Sequence, residues 1–183
     1  MFHLAGSHIF GVCIDTRVDL LFFTRGGPVF DIMSTDLGKP EPRIVLQDKA
    51  QIFDKYSSMD VDTDNKRLYA AQFSLGTILS CDYDGGNSHV HVIGLPASTL
   101  TYWPKVQKVM LQIGKVLWTY GPDTFKKTVY YRLPSFISNF LITEKGIILF
   151  GRKRCFVLSE NKTRVKINVI FPPEAFIHKS III

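Results

Sequence analysis

One pattern returns along this chain at a spacing too long for a hairpin. Residues 11–24, GVCIDTRVDLLFFT, and residues 58–71, SMDVDTDNKRLYAA, align at an offset of 47, which places Ile14 on Val61, Asp15 on Asp62, Thr16 on Thr63, Leu21 on Leu68 and Phe22 on Tyr69. The shared form is apolar-Asp-Thr, a four-residue polar turn, then Leu-aromatic. The match runs on downstream, where Ile32 to Gly38 aligns with Ile78 to Gly85. A third copy reads VMLQIGKVLWTY within Lys108 to Tyr120 and carries Leu117-Trp118; a fourth, FLITEKGIILF, ends on Leu149-Phe150. The aromatic positions Phe22, Tyr69, Trp118 and Phe150 are 47, 49 and 32 residues apart. The repeat divides a single domain, 1–183, into units at about 11–46, 58–93, 108–133 and 140–171.

Each unit is built from strands. In the clearest one the strands read Met59 to Val61, Arg67 to Ala71, Thr77 to Asp82 and Ser88 to Ile93. The turns Asp62-Thr63-Asp64-Asn65 and Asp84-Gly85-Gly86-Asn87 supply side-chain acceptors and positive-φ positions. Thirteen glycines and nine prolines break nearly every window before a helical period can run. Four short antiparallel strands recurring every 40 to 50 residues predict an all-β β-propeller of about four blades. A β-sandwich also has many short strands, but it does not explain the recurrence.

The stretch Met59 to Ile93, with Asp62, Asn65, Lys66, Leu68-Tyr69, Gly76-Thr77-Ile78, Asp82 and Asp84-Gly85-Gly86-Asn87, resembles the YWTD repeat of the low-density lipoprotein receptor family. The namesake tetrapeptide appears here as Phe22-Phe23-Thr24-Arg25, Tyr69-Ala70-Ala71-Gln72 and Trp118-Thr119-Tyr120-Gly121, without its terminal aspartate. Divergent relatives, such as the propellers of sevenless-like receptor ectodomains, are the better comparison. The resemblance implies a six-bladed ring, of which this chain would hold an incomplete, four-unit arc. It also implies an extracellular or cell-surface receptor ectodomain, a glycoprotein that binds a protein ligand or neighbouring domains. Asn161-Lys162-Thr163 is a matching glycosylation sequon. Open blade edges, and the β-branched tail Ser180-Ile181-Ile182-Ile183, would favour self-association.

The net charge of +6 does not redirect this reading, because its lysines and arginines are scattered. The densest basic stretches are Arg152-Lys153-Arg154 and Lys162, Arg164 and Lys166; the second set alternates and reads as the solvated face of an outer strand, with an anionic-partner patch as the alternative, and no nucleic-acid partner is expected. Cys13, Cys81 and Cys155 are far apart, with no CxxC pair. They read as buried thiols, with a disulfide in an oxidising compartment as the alternative. No apolar run approaches the roughly 18 to 20 residues of a membrane span, and the first residues do not form an export signal.

No catalytic centre is expected, and no cofactor. Asp15, Asp62, Asn139 and Glu144 could converge on a propeller channel to hold a metal, as in a propeller hydrolase or lyase; their simpler role is to accept turn and blade-to-blade hydrogen bonds. His3, His8, His89, His91 and His178 lack ligand spacing, although His89 and His91 should share a strand face. No GxSxG or phosphate loop is present. What remains is a non-enzymatic binding module working through loops at one face of a disc, or a product without independent activity. Tyr102 and Trp103, beside Pro104 in an apparent loop, and Arg25, beside Gly26-Gly27, are the candidate contact residues.

Overall fold

A computed structural model describes residues 8–26, 31–47, 56–144, 146–151, 155–159 and 164–167. The first sheet comprises β1 (His8–Asp15), β2 (Leu20–Gly26), β3 (Asp31–Asp36) and β4 (Arg43–Gln47); the second comprises β5 (Tyr56–Asp62), β6 (Arg67–Gln72), β7 (Thr77–Asp82) and β8 (His89–Val92). The third holds β9 (Thr99–Trp103), β10 (Lys108–Ile113), β11 (Val116–Gly121) and β12 (Lys126–Arg132), and the fourth β13 (Asn139–Thr143), β14 (Gly146–Phe150), β15 (Cys155–Leu158) and β16 (Arg164–Ile167). Each sheet is an antiparallel meander in chain order, and together they form a four-bladed β-propeller. Among the described residues the only helical element is a 3-10 turn at Pro104–Val106. No helix there is long and apolar enough to cross a membrane.

Blades stack because each sheet is apolar on both faces, and a period of two deals alternate residues to opposite neighbours. Phe22, Ile32 and Val45 of the first blade meet Met59, Val61, Leu68 and Ala70 of the second. Tyr69, Ala71 and Ile78, on the other face of that sheet, meet Leu100, Tyr102, Val109 and Leu111 of the third. Met110 and Leu117 then meet Phe140, Ile147, Leu149 and Phe156 of the fourth. The innermost strands β1, β5, β9 and β13 follow one another side by side. Ser58 and Asp60 of β5 accept hydrogen bonds from the Leu100 and Tyr102 amides of β9, at 3.1 and 3.0 Å.

The first two units fall where the 47-residue offset places them, whereas the third begins earlier than expected. Its first strand is β9, from Thr99, and not a strand at Lys108. Pairing fixes the register: Phe22 lies opposite Cys13 and Ser34, Tyr69 opposite Asp60 and Ser80, Met110 opposite Thr101 and Thr119, and Ile148 opposite Leu141 and Val157. Met110 and Ile148 are therefore the equivalents of Phe22 and Tyr69, while Trp118 sits on the third strand of its sheet and Phe150 lies two residues past the equivalent position. The intervals become 47, 41 and 38. The turns agree, since the last residue between first and second strands is left-handed in each of the first three blades: Asp19, Lys66 and Gln107, all with φ 51°. The third copy was hard to register because Trp103 stands where Asp15 and Asp62 stand in the first two, and a proline-led 3-10 turn replaces their Asp-Thr signature.

Cys13, Cys81 and Cys155 are buried and take part in no disulfide; burial pushes the Cys81 thiol up to about 11. Asn161, Arg152 to Arg154, Lys162, His3, His178 and the C-terminal Ser180 to Ile183 lie outside the described residues. Arg164 and Lys166 fall on β16, the outer strand of its sheet, as the alternation predicts.

Candidate functional site

The repeated aspartates are engaged in the architecture. Asp15 ends β1; its Oδ1 accepts the Arg17 amide at 3.0 Å and its Oδ2 accepts the Tyr83 hydroxyl, reaching over from the second blade, at 2.8 Å. Asp62 ends β5 and accepts the Asp64 and Asn65 amides and the Asn65 side chain, and the Tyr102 hydroxyl of the third blade faces it. Burial together with these carboxylates pushes both tyrosine hydroxyls well above their ordinary range. Each aspartate thus closes a turn and fastens the next blade. Asn139 accepts the Phe140 amide at 2.8 Å. Among the described residues, no three His, Cys, Asp or Glu side chains gather where they could hold a metal ion.

The placement of Tyr102 and Trp103 differs from the sequence expectation. They belong to β9 and not to a loop, and they point to opposite faces. Tyr102 is buried, stacked on Tyr69 with ring centroids 5.5 Å apart and planes 5° from parallel. Trp103 turns towards the fourth blade and meets Tyr130 edge-on at 5.5 Å. Pro104 suggested a loop, yet it only starts the turn after the strand. Arg25, at the end of β2, is held in an ion pair with the buried Asp31.

The chemistry concentrates instead at the outer half of the seam between the second and third blades. His89 and His91 do share a face of β8, with rings 4.5 Å apart. Arg67 donates to Ser80 Oγ at 3.0 Å, Ser80 meets His91 Nε2 at 2.9 Å, and His91 Nδ1 meets the Tyr120 hydroxyl of β11 at 3.0 Å. Arg67 can only donate to Ser80, while the direction of the Ser80–His91 and His91–Tyr120 bonds is set by the imidazole tautomer. The chain is buried, and His91 is pushed down to about 4, first by burial, then by His89 and Arg67, with Asp123 opposing. Ser80 is enclosed and its oxygen accepts an arginine, so the Ser–His pair lacks the exposed, base-activated hydroxyl of a nucleophile.

Two further groups complete the seam. Lys127 of β12 extends across it, donating to the Ile93 carbonyl at 2.6 Å, and lies 5.3 Å from the Trp118 ring centre. Phe125, in the β11–β12 turn, covers both imidazoles at 5.9 and 5.8 Å while remaining 62% exposed. The shared face of His89 and His91 was readable from their alternation; their partners were not, because Tyr120 and Phe125 come from the next blade.

No family model matches the chain, and no curated protein matches it in sequence. The fold is similar to that of a chain in the crystal structure of a nidogen/laminin complex, with a TM-score of 0.79 at 12% identity, covering 92% of this chain and 68% of that one. It is also similar to a putative 6-phosphogluconolactonase from Bacteroides uniformis, with a TM-score of 0.60 at 14% identity, covering 91% of this chain and 57% of that one. At these identities the likeness is one of fold.

Proposed function

We propose that this chain is a non-enzymatic protein-binding module, part of a YWTD-type β-propeller that works outside the cell. The observation that carries the reading is the set of phenylalanines presented to solvent on turns: Phe125 at 62%, Phe136 at 67% and Phe73 at 44% exposed. Aromatic side chains on a rigid scaffold are the usual anchors of protein interfaces, and leaving them in water costs apolar hydration that a partner would recover. The Phe136 ring is already matched with a cation, Lys115, 4.9 Å from its centre. The likeness to a chain from a complex of two proteins supports the same reading.

The lactonase-like neighbour supports a second reading, a propeller hydrolase or lyase with a central metal. It has less behind it, because Asp15, Asp62 and Asn139 already accept hydrogen bonds within and between the blades. Affinity capture of secreted proteins by the immobilised chain, repeated with each purified candidate, separates the two. A direct partner with micromolar or tighter affinity is expected. Lactone or ester turnover that rises on calcium addition, with no captured partner, would replace the binding reading by the enzymatic one.

A further inference from the structure

We propose that the outer mouth of the seam between the second and third blades is a docking groove for an extended acidic segment of a partner protein, added as a fifth strand beside β8. The inference rests on the binding-module reading and gives it a site. Adjacent blades are staggered at this seam. His91 of β8, the fourth strand of its sheet, meets Tyr120 of β11, the third strand of the next. The seam-facing side of β12 therefore extends past the last strand of the second blade. Lys127 and Val129, paired with Tyr120 and Trp118, share the seam-facing side of that sheet. A strand beside β8 would lie opposite them, and β8 is an edge strand whose outer backbone groups pair with no other strand among the described residues. On the reverse side of β8, Val90 and Val92 are exposed, Val92 to 78%, and would receive the other set of side chains.

The charge specifies the segment. The two strands bordering the mouth read HVHV and KKTVYYR; they bring Lys127 and two histidines to the seam and no carboxylate, and Asp123 in the β11–β12 turn is the acidic neighbour of His91. Lys127 makes one hydrogen bond, to Ile93, and has donors to spare. The indole Nε1 of Trp118, beneath it, is buried with no hydrogen-bond partner. The remaining donors of Lys127 call for a carboxylate.

Phe125 adds an independent sign. Its φ is 54°, a left-handed conformation unfavourable for a bulky side chain. Asparagine suits that backbone; an exposed phenylalanine held in it is better explained by contact with a partner.

The test uses an acetylated, amidated hexapeptide of alternating valine and glutamate, its glutamine counterpart and a heparin hexasaccharide, followed by calorimetry and amide chemical shifts. The acidic peptide should bind with shifts along His89–Val92. Replacing its glutamates by glutamine, or introducing Phe125→Asn or Lys127→Gln, should each weaken binding at least tenfold. Asparagine tolerates the left-handed backbone of residue 125, so Phe125→Asn keeps the fold, which thermal melting verifies. No peptide binding, binding unchanged in both variants, or binding of the oligosaccharide alone would overturn the groove. A captured protein partner whose affinity ignores both substitutions would overturn the groove and leave the binding module intact, whereas failure to capture any partner would remove the reading beneath it.

Discussion

Arg67, Ser80, His91 and Tyr120 form a chain of hydrogen bonds in which the one permanent cation reaches the imidazole through a hydroxyl, so a proton on the ring would add a second charge in apolar surroundings. The groups facing His91 are His89 on its own strand, Arg67 across the sheet, and Tyr120 and Asp123 from the third blade; of these only Asp123 favours the cation. Folded His91 titrates at about 4, whereas an unfolded histidine does so near 6.5. The unfolded chain therefore binds the proton first, and stability falls as the pH drops from about 6.5 to about 4, with no further contribution from this residue below that. Between pH 7 and pH 5 the loss should approach roughly 2 kcal/mol. Urea midpoints at the two pH values, for the parent and His91→Gln, should show the dependence shrinking in the variant; equal slopes would show that the ring is not the titrating group. A second pair tests the aspartates. Tyr83→Phe removes only the hydroxyl that Asp15 accepts at 2.8 Å, and should cost about 1.5 to 3 kcal/mol, the range for a hydrogen bond to a charged group. A loss near zero would mean that water replaces the hydroxyl and that Asp15 serves its own turn alone.

Turns carry more of the blade-to-blade contact than their sequences announce. Asp84-Gly85-Gly86-Asn87 reads as a hairpin turn, and it is one: Asp84 accepts the Gly86 amide at 2.9 Å. The turn also leans on the first blade. Gly85 has φ 87°, and a Cβ there would run into the backbone carbonyl of Val45 on β4. Gly94, in the connection after β8, has a similar φ of 68° with nothing within 4 Å of a Cβ. Comparing the two alanine variants separates backbone strain from blade contact. Gly94→Ala should cost about 1 to 2 kcal/mol for the left-handed conformation, and Gly85→Ala at least about 2 kcal/mol more. Equal melting temperatures would mean that the first blade yields without cost. This double use explains what was legible in the sequence. Asp15 and Asp62 each serve a turn and a neighbouring blade, so their spacing of 47 survives as a visible repeat. In the third blade Trp103 and Gln107 meet the same backbone geometry with other chemistry, and the pattern slips by a strand. Tyr102 and Trp103 looked like loop aromatics because proline marks a break without saying on which side of it the strand lies. Alternation put His89 and His91 on one face, but nothing local to HVHV says that Tyr120 and Phe125, from a blade some 30 residues on, will cover them.

At the scale of the molecule, stability is arranged in series. Three apolar clusters join the first blade to the second, the second to the third and the third to the fourth; among the described residues none joins the fourth to the first. The two middle sheets therefore have a cluster on each face, and the outer two share one each. In such an array each unit's opening free energy follows the number of neighbours it is packed against, so local opening should begin at the ends. The polar fastenings reinforce this gradient: the second blade holds Asp15 through Tyr83 on one side and gives Asp62 to Tyr102 on the other, and the Ser80–His91–Tyr120 chain ties it to the third. Native-state hydrogen exchange, read by mass spectrometry, should find the amides of β6, β7, β10 and β11 at least tenfold more protected than the equivalent central strands β2, β3, β14 and β15. Disrupting the middle seam by Tyr120→Ala should raise exchange in the second and third blades together and narrow the difference. Uniform protection across all four sheets would mean instead that the first and fourth blades are packed as firmly as the middle pair, and that the molecule opens as one closed unit.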